Sequence, residues 1–161
     1  MLNKEWRSLN AEPKSKKLKR GHLAEYYAEM QLILYGFETY KTTVDDRGID
    51  LIIRNKNGVF FDIQVKSVID YHNIPILQDK FNIKNERLYL LAVHFVKDGE
   101  DPEMYIIPAT RWTIRDKIFY TSKENVKKPQ YGLKLTSKEN CDSLQEYKLD
   151  KIINVIKEMK K

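Results

Sequence analysis

Glu25, Asp50, Gln64 and Lys66 are the residues of this chain whose types and spacing suit chemistry on a phosphodiester. Hydrolysis of that bond needs an activated water and a group that absorbs charge on the phosphate. A divalent metal held by carboxylates beside one lysine supplies both. Mg²⁺ prefers hard oxygen ligands, keeps several waters and takes one or two protein carboxylates; Mn²⁺ can take its place. Glu25 and Asp50 fit as those carboxylates, with Glu29, Asp45 and Asp46 as nearby substitutes. Gln64 can complete the metal's shell or hold the water through its amide oxygen, and the backbone carbonyl of Val65 is a further ligand candidate. Lys66 is suited to orient the water or help deprotonate it.

These groups are far apart in sequence, so folded elements must gather them. Residues 21–35 read as a helix ending at Gly36, where a left-handed C-cap suits glycine. Leu23, Tyr27, Met30 and Leu34 form one apolar stripe and Ala24, Ala28 and Leu32 a second of smaller volume. The helix is therefore expected to be mostly buried, with Tyr26 and Tyr27 in the core. Steps of three and four residues bring His22, Glu25 and Glu29 onto its one polar edge.

After a short strand at 37–41, residues 48–54 and 59–66 read as two strands joined by Asn55-Lys56-Asn57-Gly58. A two-residue Asn57-Gly58 turn would set Asp50 opposite Val65 and send the polar side chains of the two arms to opposite faces. A three-residue loop, Lys56-Asn57-Gly58 with Gly58 left-handed, pairs Asn55 with Val59 and Asp50 with Gln64. Only the second register lets the apolar faces coincide while Asp50, Gln64 and Lys66 converge, so it is the one predicted. Farther on, 74–87 reads as a loop with a short helix and 88–96 as a buried strand with 104–107 as its neighbour. Residues 110–117 read as a short helix and 144–160 as an amphipathic one. Trp6 and Trp112 are expected to anchor the N-terminal arm and the late helix. His72, His94 and Cys141 lack metal-ligand spacing and are assigned no role.

The runs Gly21-His-Leu-Ala-Glu25, Gly48-Ile-Asp50 and Gln64-Val-Lys66-Ser67 together resemble the helix Glu, the Asp and the (D/E)xK signature of PD-(D/E)xK nucleases. Holliday-junction resolvases, some restriction enzymes and a bacterial group with GID and QVK signatures are the nearest parallels. The resemblance covers about residues 20–95. It implies an α/β fold with a restriction-endonuclease-like core, α-β-β-β-α-β, in which helices flank a mixed central sheet. It also implies Mg²⁺-dependent cleavage of DNA, with Glu25 and Asp50 as metal ligands and Lys66 as the water-orienting base. Gln64 departs from the pattern, standing where most of the superfamily has Glu or Asp, and removes one negative charge from the site.

At 161 residues the chain suits one domain, divided as a basic arm at 1–19 and a nuclease-like domain at 20–161, with its core at 20–107 and an extension at 108–161. An excess of 29 Lys+Arg over 23 Asp+Glu, or +6, favours a polyanionic partner. DNA is the expected one, with Lys16, Lys17, Lys19, Arg20, His22, Lys127 and Lys128 as candidate contacts. A homodimer is compatible with cutting both strands of a duplex. One cysteine excludes an intrachain disulfide, and no apolar run is long enough for a signal peptide or a membrane span, so a cytoplasmic location is expected. Two other readings fit the same residues: a nuclease-like domain that binds nucleic acid without cutting it, and a protein-interaction or accessory module.

Overall fold

The computed structural model describes residues 3–9, 14–43, 47–122 and 126–161. Asp45 and Asp46 lie outside them. After a 3₁₀ turn at Trp6–Leu9, helix α1 (Lys14–Leu34) leads into strands β1 (Glu38–Lys41), β2 (Leu51–Arg54) and β3 (Phe60–Ile69). Then come β4 (Asn73–Leu77), β5 (Leu88–Phe95), β6 (Glu103–Pro108), β7 (Phe119–Thr121) and β8 (Gln130–Lys134), closed by α2 (Lys138–Asp142) and α3 (Leu149–Glu158). Five strands form a mixed central sheet in the order β1-β2-β3-β5-β6, in which only β3 and β5 run parallel. Helices flank it, as the α/β reading expects.

The predicted hairpin register is the observed one. Leu51 lies opposite Ile63, Ile53 opposite Phe61 and Arg54 opposite Phe60. Asn55 N–H donates to the Val59 carbonyl and Gly58 N–H to the Asn55 carbonyl, which closes the three-residue loop with Gly58 at φ +76°. Leu51, Ile53, Phe61, Ile63 and Val65 consequently share one face and enter one core with α1 and α3. The regular pairing ends at Leu51–Ile63; the predicted Asp50–Gln64 pair is not formed as a ladder pair, because the Asp50 N–H turns to the Ile63 carbonyl.

Asn55 holds this turn in place. Its buried side-chain oxygen accepts the N–H groups of Asn57 and Val59 at 3.0 and 2.9 Å. Its amide nitrogen donates to the carbonyls of Ile156 and Met159, at the C-terminal end of α3, where the last helix carbonyls lack the usual i+4 donors.

Helix α1 differs from expectation in extent and orientation. It begins by Lys14, so the boundary expected at residue 19 falls inside it. The core-facing stripe is the one with the smaller residues, Ala24, Ala28 and Leu32, because they let the helix axis approach the sheet closely. Met30 and Leu34 are exposed, and so is Tyr26 at 61%, with the Lys41 ammonium 4.2 Å above its ring, so Tyr26 is not core. The helix ends as expected: Gly36 sits at φ +90°, and Phe37 N–H reaches back to the Leu32 carbonyl at 3.1 Å.

Nor is residues 3–9 a solvated tail. Trp6 is buried against Phe95, with ring centroids 4.9 Å apart, and its indole N–H donates to the Glu100 carbonyl. The connection from β3 to β5 contains no α-helix; it runs through β4 and a 3₁₀ turn at Gln78–Lys80. Strand β4 joins β8 and β7 in a second, antiparallel sheet, which covers the other face of the central one with a separate apolar cluster. Trp112 belongs to a 3₁₀ turn at Ala109–Thr113 and anchors this second sheet, donating to the Gly132 carbonyl at 3.0 Å. The expected 144–160 helix starts later, at Leu149, after α2 and a 3₁₀ turn. No described helix is long and apolar enough to cross a membrane.

Replacing Asn55 with alanine removes four hydrogen bonds and leaves the N–H groups of Asn57 and Val59 without the oxygen that binds them, while the Ile156 and Met159 carbonyls keep the Met159 N–H and the Asn57 amide. Urea unfolding should show a loss of at least about 2 kcal/mol. A loss under about 0.5 kcal/mol would mean that other contacts set the turn.

Candidate active site

Strand β2 stops at Leu51 while β3 continues to Ile69, so past Ile63 one edge of β3 faces no strand. Asp50 occupies the place where the ladder breaks. Its N–H donates to the Ile63 carbonyl at 2.9 Å, and its Oδ2 accepts the N–H of Val65 at 2.6 Å. That N–H lies in the plane of the sheet, and therefore so does the carboxylate that caps it. In an antiparallel ladder a residue's C=O points to the same neighbour as its N–H, so the Val65 carbonyl also faces the Asp50 side.

Gln64 and Lys66 project from the sheet face opposite to α1, where they are level with Leu90 and Ala92 of β5. Gln64 is 3% exposed, and its Oε1 has no hydrogen-bond partner among the described residues. A buried acceptor in that condition costs free energy unless something else satisfies it. Its amide nitrogen is packed against Gly48, where an added Cβ would stand 2.5 Å from it and 3.0 Å from Lys80 Cβ. Lys66 is half-buried, and no hydrogen bond or ion pair holds its ammonium among the described residues.

Glu25 comes from the other face. It is half-exposed on α1, with the His22 ring nitrogen 3.8 Å from its Oε2. Glu29, one helical turn farther on, binds Lys41 Nζ at 2.9 Å and accepts from the Thr39 hydroxyl. Glu29 first, and Glu25 more weakly, raise the Lys41 pKa. Lys41 lies opposite Leu51, the neighbour of Asp50. Gln64, Val65 and Lys66 follow one another on β3 and Asp50, just before β2, caps the Val65 N–H, while Glu25 lies on α1 with His22 as its contact among the described residues. Glu29 is committed to Lys41 and Thr39.

The donor set is all oxygen: a carboxylate, a backbone carbonyl and a buried amide oxygen without a partner. Those groups fit a hard divalent cation. Among the described residues no three His, Cys, Asp or Glu cluster as a metal centre, because two of these oxygens come from an amide and a peptide.

The seven candidate nucleic-acid contacts fall in two places. Lys16, Lys17, Lys19, Arg20 and His22 lie on the first turns of α1, not on a flexible arm. Arg20 precedes Ala24 on the inward side, where burial lowers its pKa. Lys127 and Lys128 are exposed just before β8, whose start is tied to the Gln78–Lys80 turn by Gln78 N–H to the Pro129 carbonyl.

One pairing escapes sequence reasoning. Cys141 Sγ lies 3.8 Å from His94 Nδ1, and His94 Nε2 is 2.5 Å from the Asp70 carbonyl. A carbonyl only accepts, so Nε2 carries the proton and Nδ1 accepts from the thiol. Burial pushes the Cys141 pKa up to about 11 and that of His94 down, so the pair is a neutral structural contact.

No protein-family model matches the chain, and neither does any curated protein. Among solved structures, the chain is similar to a bacterial homing endonuclease, I-Ssp6803I, at 19% identity and a TM-score of 0.53, over 87% of this chain and 91% of that one. At that identity the likeness establishes a shared fold.

Gly48 holds φ +71° with the Gln64 amide against its Cα. Gly48→Ala should cost about 1–3 kcal/mol in thermal unfolding, from left-handed strain and displacement of the amide. A variant as stable as the parent would show that Gln64 is not held by this contact.

Proposed function

We propose that the chain is a metal-dependent endonuclease of the PD-(D/E)xK type that hydrolyses phosphodiester bonds of DNA. The observation that carries this reading is the break in the ladder: the Asp50 carboxylate, the Val65 carbonyl and the orphaned Gln64 oxygen lie on adjoining positions, with Lys66 next along β3 on the face of Gln64. The fold shared with a homing endonuclease supports it.

In this reading Asp50, Gln64 and the Val65 carbonyl hold Mg²⁺ or Mn²⁺, with Glu25 completing the set from α1. The ion supplies charge neutralisation at the phosphate and makes a water acidic enough to attack. The Val65 N–H fixes one oxygen, and hence the plane, of the Asp50 carboxylate. Lys66, with no carboxylate to neutralise it among the described residues, orients the attacking water and hydrogen-bonds the phosphate oxygen on which charge develops. Gln64 contributes an oxygen without adding a charge. Lys127 and Lys128 on one side and the first turns of α1 on the other hold the DNA backbone by phosphate contacts. A second copy of the chain supplies the second cut where both strands of a duplex are cleaved.

The test incubates the protein with linear duplex, single-stranded and four-way-junction DNA in Mg²⁺, Mn²⁺ or EDTA. Cleavage should require metal, and Asp50→Asn and Lys66→Ala should each lower it about 10²–10⁴-fold. Both variants should retain DNA binding and the native far-ultraviolet circular dichroism. Binding without cutting in every metal condition would instead favour a non-cutting domain marked by Gln64. Full cleavage by either variant would remove these residues from the mechanism.

A further inference from the structure

Beside the candidate site, a cavity of about 390 Å³ lies between the residues leading into β2, the start of β3 and the segment from Gln78 to Leu88. Gly48, which carries the packing against Gln64, also packs on Lys80 at its edge. Asp62 in its wall precedes Gln64 by two residues on the same face of β3, a separation of about 7 Å. The proposed nuclease mechanism uses none of the groups that line it.

The hydrogen-bonding pattern of this wall is fixed by the fold. Asn82 Oδ1 accepts the Lys84 N–H at 3.0 Å and Asn85 Oδ1 accepts the Arg87 N–H at 2.9 Å. A backbone N–H only donates, so each Asn oxygen is engaged locally; the Asn85 amide turns to Asp62, and the Asn82 amide nitrogen is the donor that remains for the cavity. Gln78 is the reverse case. Its Nε2 donates to the Gln130 carbonyl at 3.3 Å, so its oxygen is the remaining acceptor. The cavity therefore combines a preset amide donor, an amide acceptor and the Asp62 carboxyl. Burial raises the pKa of that carboxyl, while the Asn85 amide and the Arg47 charge counteract the shift.

Phe81 and Leu88, both buried, give it an apolar floor. Arg47 is exposed and Lys80 half-exposed, so positive charge stands at the mouth. A flat heterocycle with a polar edge, attached to phosphates that stay outside, matches this arrangement. A free phosphate does not, because the Asp62 carboxyl in the wall would oppose it. The volume suits one nucleotide.

We propose that this cavity receives a single nucleobase of the substrate strand, turned out of the stack beside the bond that is cut, and reads its hydrogen-bonding edge through Gln78, Asn82 and Asp62. The proposal rests on the endonuclease reading. Turning a base out costs a few kcal/mol, least where pairing is already weak, so the cavity favours mismatched, branched or single-stranded sites.

The test uses each DNA that the protein cuts, with 2-aminopurine placed at one position at a time and Ca²⁺ replacing Mg²⁺. Fluorescence of the bound complex should rise several-fold at one nucleotide beside the cut. Two variants probe the wall. Asn82→Asp keeps the oxygen that caps Lys84 and exchanges the donor for an acceptor, and Gln78→Met removes the acceptor. Each should abolish the rise and shift the order of cleavage rates among the four bases at that position by about tenfold, with cutting retained. Cutting by the parent protein with no fluorescent position overturns the cavity and leaves the nuclease standing. So does an equal slowing for all four bases in Asn82→Asp, which is charge repulsion, or binding of a free nucleoside monophosphate with no response in the strand. Absence of metal-dependent cutting of any DNA overturns both.

Discussion

The register between β2 and β3 is the constraint on which the rest of the structure depends. Side chains alternate along a strand, so a slip of one residue would carry Leu51 and Ile53 out of the core and turn Gln64 and Lys66 into it. Two features exclude the slip. Gly58 takes a left-handed conformation that a side chain would strain, which sets the loop at three residues. Asn55 binds both N–H groups of the turn and the last carbonyls of α3, so the hairpin and the terminal helix hold one another. The apolar contacts of Val59, Phe61 and Ile63 with α1 and α3 then form around a fixed alignment.

From that alignment the site follows through a difference in length. Strand β3 has 10 residues and β2 has 4, so the polar edge of β3 past Ile63 has lost its neighbour. An unpaired edge is a liability in an ordinary sheet. Here a side chain takes over from the missing strand, as the Asp50 carboxylate meets the Val65 N–H. The same break that requires a cap brings a carboxylate into the plane of the sheet, within reach of groups on both faces. Glu25 on α1 belongs to one face and Gln64 and Lys66 to the other.

How much of this was legible in the sequence depends on how local the signal is. The hairpin register followed from parity alone, because only one turn length keeps the apolar faces together. The Gly36 cap and the buried run of β5 were legible for similar reasons. The second sheet was not. Residues 73–77 contain Pro75 and pair with 130–134, more than fifty positions away, so nothing nearby marks them as a strand. Helix α1 misled through volume: its large apolar residues look like the core face, but close packing on the sheet selects Ala24, Ala28 and Leu32. Trp6 was visible as an anchor, whereas its partners, Phe95 and the Glu100 carbonyl, come from a distant hairpin. The site residues on β3 were legible as a set because they share a strand. Asn55 was readable only as a turn residue, since its bonds to α3 are long-range.

Gln64 shows why the site takes the form it does. The position is nearly sealed from water and adjoins Val65, whose N–H holds the Asp50 carboxylate. An ionised carboxylate there would be desolvated and repelled by its neighbour, and without a cation either it would be protonated or the fold would loosen. A neutral amide keeps an oxygen at the same place at the smaller cost of one unpaired acceptor. The consequence is a buried position whose stability does not depend on a bound ion.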